Sequence, residues 1–357
     1  MKTDRKELLK RLTLESGISG SESKISEIMR EELNGYTSSS KDNMGSICFE
    51  YKGKKDSPKI MFVAHMDEIG FIVADILPSG FLRLQNIGGW NPNTLLSSPV
   101  DVINSKGEKY PGIIGAVPVH FLKNRQDVKP EINSMFVDIG AISKEDVENN
   151  FGIQLGDQIV PVTNFHYSEK NRRMFSKAFD DRSGVAAVIE IGKILAQTEH
   201  PNTVYCVGSV QEEVGTRGAS TIANYTDADV CIVLEGAPAD DIPGIPYTSQ
   251  TGVGKGAHVR LFDPTMIVKR ELKDYIVECA NNNEIKIQLT VRKGGGTDGR
   301  QFHVANRGIP TIVLGVPVRY AHSHNCISSM DDFDELMKLL TVIIENLDSD
   351  KLQEILN

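Results

Sequence analysis

The stretch Val204-Tyr205-Cys206-Val207-Gly208-Ser209-Val210-Gln211-Glu212-Glu213-Val214-Gly215 sets the reading of the fold. Its first half is a short apolar run that reads as a buried strand. It then meets two adjacent carboxylates. At the end of a buried strand Glu212 and Glu213 repel one another, and neither is cheap to desolvate. A metal ion relieves both penalties. Successive side chains of a regular strand point to opposite faces, but in the turn that follows both can reach one site, one as a ligand and the other free as a base. A lone Glu-Glu pair usually marks a solvated corner. What gives this one weight is the set of metal-binding residue types at other strand ends in the chain.

The surrounding sequence has a regular texture. Apolar residues recur at helical spacing over 182–197, with Val188, Ile191 and Leu195 on one face, and helices are also expected over 217–225 and 266–280. A long last helix carries Phe333, Leu336, Leu340 and Ile343, and Ser329 and Asp332 resemble the capping box that would open it. Strands are expected between these at 203–210, 229–234, 284–291 and 310–316. Upstream, two helices lie on either side of a Gly/Ser break at 19–23 and lead into strands at 44–51 and 59–64. Alternating helices and strands predict an α/β fold, a mixed sheet with helices on both faces.

Between the two halves the pattern changes. Over 77–165 short Val/Ile/Leu runs are broken by Gly, Pro and Asn, as in Gly88-Gly89-Trp90-Asn91-Pro92, with a helix expected only at 143–150. Turn signals at that density indicate a small β-rich module. The expected organisation is one discontinuous α/β domain, 1–72 and 166–357, interrupted by a β-rich insert at 73–165.

Composition narrows the function. The chain has 357 residues, 40% apolar and 24% charged, the balance of a soluble globular protein. A net charge of −9 argues against nucleic acid and anionic membrane as partners. Cys48, Cys206, Cys231, Cys279 and Cys326 are odd in number, scattered, and mostly inside apolar runs. That usage fits a cytoplasmic protein and not a disulfide framework. Met1 to Arg5 lead into an amphipathic helix and not a secretory signal, and no apolar run approaches the ~20 residues that span a bilayer.

His65 and Asp67 directly follow the strand at 59–64. An imidazole there can bind a metal, with the carboxylate two residues on supporting it from behind. Asp180-Asp181-Arg182 opens a helix, where a carboxylate can also serve simply as the N-cap. Glu235 ends the strand at 229–234, and His322 and His324 follow the strand and loop at 311–318. Ligands of open α/β sheets bind in the crevice beyond the carboxyl ends of the strands, so four strands ending in such residues converge on one place. Imidazoles and carboxylates without cysteine suit Zn²⁺, Co²⁺ or Mn²⁺. Their number suffices for two ions that share a bridging carboxylate.

These residues also carry a family resemblance. Ala64-His65-Met66-Asp67-Glu68-Ile69-Gly70, the segments 177–184 and 211–218, Gly295-Gly296-Thr297-Asp298 and Arg319-Tyr320-Ala321-His322-Ser323 occur in order along nearly the whole chain. They resemble the co-catalytic metalloaminopeptidases of the glutamyl, leucyl and deblocking type, the family of the tetrahedral TET particles. The resemblance implies a zinc-peptidase-like catalytic domain that removes N-terminal residues from peptides. It implies two divalent metal ions per subunit, Zn²⁺ before Co²⁺ or Mn²⁺, and a PDZ-like insert involved in assembly. Position by position, it implies that Asp180 bridges the metals, that His65 and Glu235 complete one site, and that Glu213 and His322 complete the other. Glu212 would be the general base and Asp67 the partner behind His65. His322 fits the Arg-Tyr-x-His-Ser pattern better than His324 does, and Glu235 stands where relatives often carry Asp. A homo-oligomer is implied as well, with a twelve-subunit tetrahedral shell as its expected form.

Other functions meet the same residues less well. A glycosidase needs two carboxyl groups about 5–9.5 Å apart across a sugar, has no use for the imidazoles, and usually needs an aromatic groove, whereas Trp90 is the single tryptophan. A peptide-binding module has no use for a free base beside metal ligands. A metal-dependent deacylase or carboxypeptidase of related fold is the serious alternative. Lys255, His258 and Arg260, in a Gly-rich stretch over 251–261, would favour an N-terminal Glu or Asp if they line the pocket for the first side chain.

Overall fold

The computed structural model describes residues 4–121, 130–245 and 247–357. Met1, Lys2 and Thr3, part of the stretch read as non-secretory, lie outside them. The described residues build a nine-stranded mixed sheet. Its middle is four parallel neighbours, in spatial order Thr203–Ser209, Lys59–His65, Val230–Pro238 and Thr311–Val318. These strands are almost continuously apolar because both of their faces are covered. Within one of them Ile60, Phe62 and Ala64 alternate with Met61 and Val63, and the two sets enter different cores. The first core includes the long helices Phe179–Leu195 and Met330–Asn346. The second is closed by Arg217–Tyr225 and the short helix Gly299–Phe302. Antiparallel strands flank the four, Ile47–Tyr51 on one side and Ala257–Asp263 on the other.

Between Gly70 and Pro161 a second sheet closes into a barrel. Its strands run in the order Gly70–Ile76, Leu82–Ile87, Phe136–Asp138, Lys109–Ile114, Pro99–Ile103 and Gln158–Pro161, and the last pairs back with the first. It encloses its own apolar core, with Phe71, Val102, Val137 and Ile159 inside. The chain therefore leaves the main sheet at His65 and enters the barrel at Gly70 within one turn.

Several local expectations change. The helix expected over 266–280 begins at Arg270, because Met266–Ile267 turns back to pair with Phe262 and Asp263. The Gly-rich stretch over 251–261, to which the sequence pattern assigns no secondary structure, runs into a strand, Ala257–Asp263. Glu235 does not end its strand, which continues to Pro238. Ser329 precedes the helix Met330–Asn346 without a capping box. Its hydroxyl accepts from Arg173, and the Asp332 carboxylate takes the N–H groups of Gly254 and Gly256 at 2.6 and 2.7 Å. Among the described residues no helix is long and apolar enough to cross a membrane.

Candidate active site

Parallel strands bring their carboxyl ends to one edge of the sheet, where His65 pairs in register with Ser209 and Glu235 with Gly315. Several segments at that edge bend through left-handed residues that are not glycine: Ala178 (φ 54°), Gln211 (φ 57°), Tyr320 (φ 59°) and His322 itself (φ 61°). Such conformations cost about 1–3 kcal/mol each and persist where the surroundings impose them, often at functional sites. Gly236 allows a further close approach. A Cβ there would run into the Phe179 carbonyl and stand 2.6 Å from Asp180 N, so only glycine lets the Asp180 loop lie against the strand that carries Glu235.

Asp180 stands between the two imidazoles. Its Oδ1 is 3.1 Å from His65 Nε2, and its Oδ2 is 3.4 Å from His322 Nε2. Glu235 Oε2 lies 3.9 Å from His65 Nε2, and Glu213 Oε1 lies 3.4 Å from His322 Nε2. Each Nδ1 faces a main-chain carbonyl, that of Asp67 at 3.0 Å for His65 and that of Gly89 at 2.7 Å for His322. A carbonyl oxygen only accepts, so Nδ1 carries the proton and Nε2 is the nitrogen left for a cation. Asp181 is committed differently. Its oxygens accept the N–H groups of His65 at 3.3 Å and Gly184 at 2.9 Å, capping the helix that becomes regular after it.

The electrostatics favour a cation. Burial opposes a proton on His65, but hydrogen bonds to Asp180 and Asp67 outweigh it and raise its pKa well above the ordinary value. Burial likewise opposes one on His322, yet Asp180 and Glu213 carry it to about 10. Burial pushes Glu213 up to about 7, and the charges of Asp180 and Asp67 add to that. Glu212 and Glu235 are raised well above the carboxylate range, by burial first and by neighbouring carboxylates next. So much retained proton means more negative charge than two imidazoles can settle. Donor atoms of His65, Asp180 and Glu213, and again of His65, Asp181 and Glu235, lie within 4.8 Å of one another. Imidazoles and carboxylates at that spacing fit divalent ions of borderline softness.

Asp67 does more than support His65. Its carboxylate is 3.5 Å from His65 Nδ1 and is occupied by the N–H of Glu212 at 3.0 Å, the N–H of Glu213 at 3.1 Å and the Ser19 hydroxyl at 2.6 Å. The Glu212 carboxylate accepts no hydrogen bond from the described residues and lines the cavity over the cluster. His324 is buried beside Trp90, ring centroids 5.6 Å apart, whereas His322 faces Asp180 and Glu213. Behind the site Glu68 takes Lys177 at 2.6 Å and stands 3.5 Å from Arg182, all three buried. Sequence reasoning passed over these three, although each lies in a quoted motif segment.

The cavity measures about 1010 Å³. Asp180, Glu212, Glu213, Glu235 and His322 line it, and so do the cations Arg260, Arg292, Lys293 and Arg300. Of the three cations considered from sequence, only Arg260 borders it. Lys255 is exposed away from it. His258 is fully buried against Thr290 at 2.8 Å, with its pKa pushed well below normal by burial and by Arg260.

Residues 45–339 match the family described as M42 glutamyl aminopeptidase. The chain is 38% identical over 351 residues to the putative aminopeptidase FrvX of Escherichia coli (strain K12), covering 97% of this chain and 96% of that one. It is 35% identical over 320 residues to the glutamyl aminopeptidase of Lactococcus lactis subsp. cremoris (strain MG1363), with 88% of each chain covered. Against the lysyl aminopeptidase of Pyrococcus furiosus it is 31% identical over 349 residues, covering 96% and 97%. The solved TET aminopeptidase of the marine sediment archaeon Thaumarchaeota archaeon SCGC AB-539-E09 superposes with a TM-score of 0.94 at 37% identity, covering 98% and 99%. The Pyrococcus horikoshii TET1 peptidase, which can assemble into a tetrahedron or a large octahedral shell, superposes at 0.86 with 31% identity, covering 96% and 100%.

Proposed function

The chain belongs to the M42 glutamyl aminopeptidase family and is an aminopeptidase, a hydrolase of peptide bonds; from that premise we propose that the cluster around Asp180 is a two-metal centre served by Glu212 as its base. The observation that carries this reading is the division of Asp180, one oxygen toward His65 and the other toward His322. Asp180 is then the bridge, His65 and Glu235 complete one site, and Glu213 and His322 complete the other. The donors suit Zn²⁺ best, with Co²⁺ and Mn²⁺ as alternatives. Ions bound there would polarise a scissile carbonyl and make water more acidic. Glu212, whose carboxylate is uncommitted, takes the proton of the attacking water and returns it to the departing amine. Asp67 holds the backbone of that turn, and the Nδ1 contacts of His65 and His322 fix both ring orientations.

Arg260 and Arg292, on the same cavity as the base, support a preference for N-terminal Glu or Asp, because a guanidinium pairs with a carboxylate in a matching fork. Relatives carry both glutamyl and lysyl names, so the argument rests on the pocket. A panel of Glu, Asp, Leu and Lys aminoacyl-p-nitroanilides, run beside N-acyl amino acids with and without chelator, tests activity and preference together. Expected is chelator-sensitive cleavage of the anilides with Glu and Asp ahead. Preference for Lys or Leu would sink the acidic pocket, and activity that survives complete metal removal would sink the metal centre.

The catalytic domain is assigned to 1–72 and 166–357, and the PDZ-like assembly insert to 73–165, which holds most of the barrel. That insert exposes Phe121 (77%), Ile142 (85%) and Leu155 (65%), apolar area that association would cover. The expected assembly is a tetrahedral dodecamer, and light scattering that finds an active monomer at micromolar concentration would contradict it. Five free cysteines, all buried, support a reducing, cytoplasmic location.

A further inference from the structure

Past Ser209 the strand ladder ends, and the main-chain N–H groups of Gln211, Glu212 and Glu213 go to side chains. All three acceptors are carboxylate oxygens of buried residues. Glu22 Oε1 accepts from Gln211 at 3.0 Å and from Gly20 at 2.8 Å. Asp67 accepts from Glu212 and Glu213, backed by the Ser19 hydroxyl at 2.6 Å. Glu22 is 6% exposed, and burial and the Asp67 charge both raise its pKa. A carboxylate at this point is costly by itself, and the N–H groups it accepts offset that cost.

The loop carrying Ser19 and Glu22 is itself fixed. Glu68 N–H donates to the Gly17 carbonyl at 3.0 Å, Gly17 N–H donates to Glu68 Oε1 at 3.2 Å, and Arg182 Nη2 donates to the same carbonyl at 3.1 Å. Ile18 packs with Ile103 and Val160 of the barrel. All of 16–22 precedes the residues that match the family, 45–339.

We propose that Ser19 and Glu22 are positioning residues for the catalytic turn, which together with Asp67 hold three successive main-chain N–H groups and so fix where the Glu212 carboxylate points. The kinetic consequence rests on Glu212 being the base, whereas the clamp does not. Displacing a reacting group by about 1 Å can cost about 100-fold in rate, so the loss should fall on kcat.

Glu22→Ala and Glu22→Gln are compared with the parent protein, since the amide keeps an acceptor oxygen and alanine has none. Glu22→Ala should lower kcat by about 10- to 100-fold with KM within about threefold, at parental metal content. In chelator-treated protein it should also speed hydrogen exchange in a peptide spanning 210–214. Glu22→Gln should return kcat and exchange to within about threefold of the parent. Parental kcat or unchanged exchange in Glu22→Ala overturns the proposal. An alanine defect that glutamine does not rescue, or one accompanied by metal loss, overturns it as well. If Glu22→Ala does not fold, Ser19→Ala carries the same test, with faster exchange and lower kcat expected and parental values of either overturning it. Glu212→Gln in the same assay keeps the two readings apart: turnover there removes the base, while the exchange data still decide the clamp.

Discussion

The Asp67 carboxylate accepts the main-chain N–H of Glu212 at 3.0 Å, so Glu212, the proposed base, is placed through its backbone while its own carboxylate stays uncommitted. Asp67 is fully buried, and its second oxygen takes the N–H of Glu213. Hydrogen bonds to a charged group of this kind contribute about 1.5–3 kcal/mol. Asp67→Asn would turn one acceptor into a donor facing an N–H. Expected is a kcat lower by about 10- to 100-fold with KM little changed, read from steady-state kinetics beside metal analysis. Parental kcat would contradict the placement role.

Among the described residues, Asp180 alone has carboxylate oxygens within 3.4 Å of both imidazoles. Asp180→Ala should therefore strip metal from both sites, whereas Glu213→Gln and Glu235→Gln should each weaken one. Elemental analysis after chelation and reloading distinguishes these outcomes. Full metal retention in Asp180→Ala would rule out the bridge.

Metal loading should release protons. Burial pushes His322 down, but Asp180 and Glu213 carry it up to about 10, so in the ion-free protein it is protonated at pH 7. A ligating imidazole must be neutral, so binding expels that proton, and Glu213, held near 7, gives up part of another. Apparent affinity should then rise with pH from 6 to 9 and fall in acid. Calorimetry in buffers of different ionisation enthalpy measures the release directly, and proton-independent loading would contradict the reading.

Much of this was legible because buried strands announce themselves. The runs ending near His65, Ser209 and Glu235 are apolar on both faces, and a charged residue after such a run stands out. The closed barrel was visible only as turn-rich β texture, since closure depends on pairing between Gly70–Ile76 and Gln158–Pro161 that no local pattern encodes. Ala257–Asp263 was missed because glycines at 252, 254 and 256 carry no strand pattern, although Gly254 and Gly256 donate to Asp332 just before the strand begins. Ser19 and Glu22 were missed for a related reason. A Gly/Ser break reads as a linker until the turn it clamps is in view.

The pocket cations make a separate prediction. Arg292→Met keeps much of the side-chain volume and removes the guanidinium. Cleavage of a Glu substrate should lose about 10- to 100-fold in kcat/KM, the worth of a charged hydrogen bond, while a Leu substrate changes little and controls for folding. Equal losses on both substrates would remove Arg292 from specificity.

Glu212→Gln tests the central claim most directly. It keeps the size of the side chain and removes the proton acceptor. Metal content, oligomer size and KM should stay near the parent while kcat drops by roughly 10²–10⁴, the usual size of a general acid–base contribution. Parental turnover in Glu212→Gln, or metal loss in that variant, would contradict the division of roles between Glu212 and Glu213.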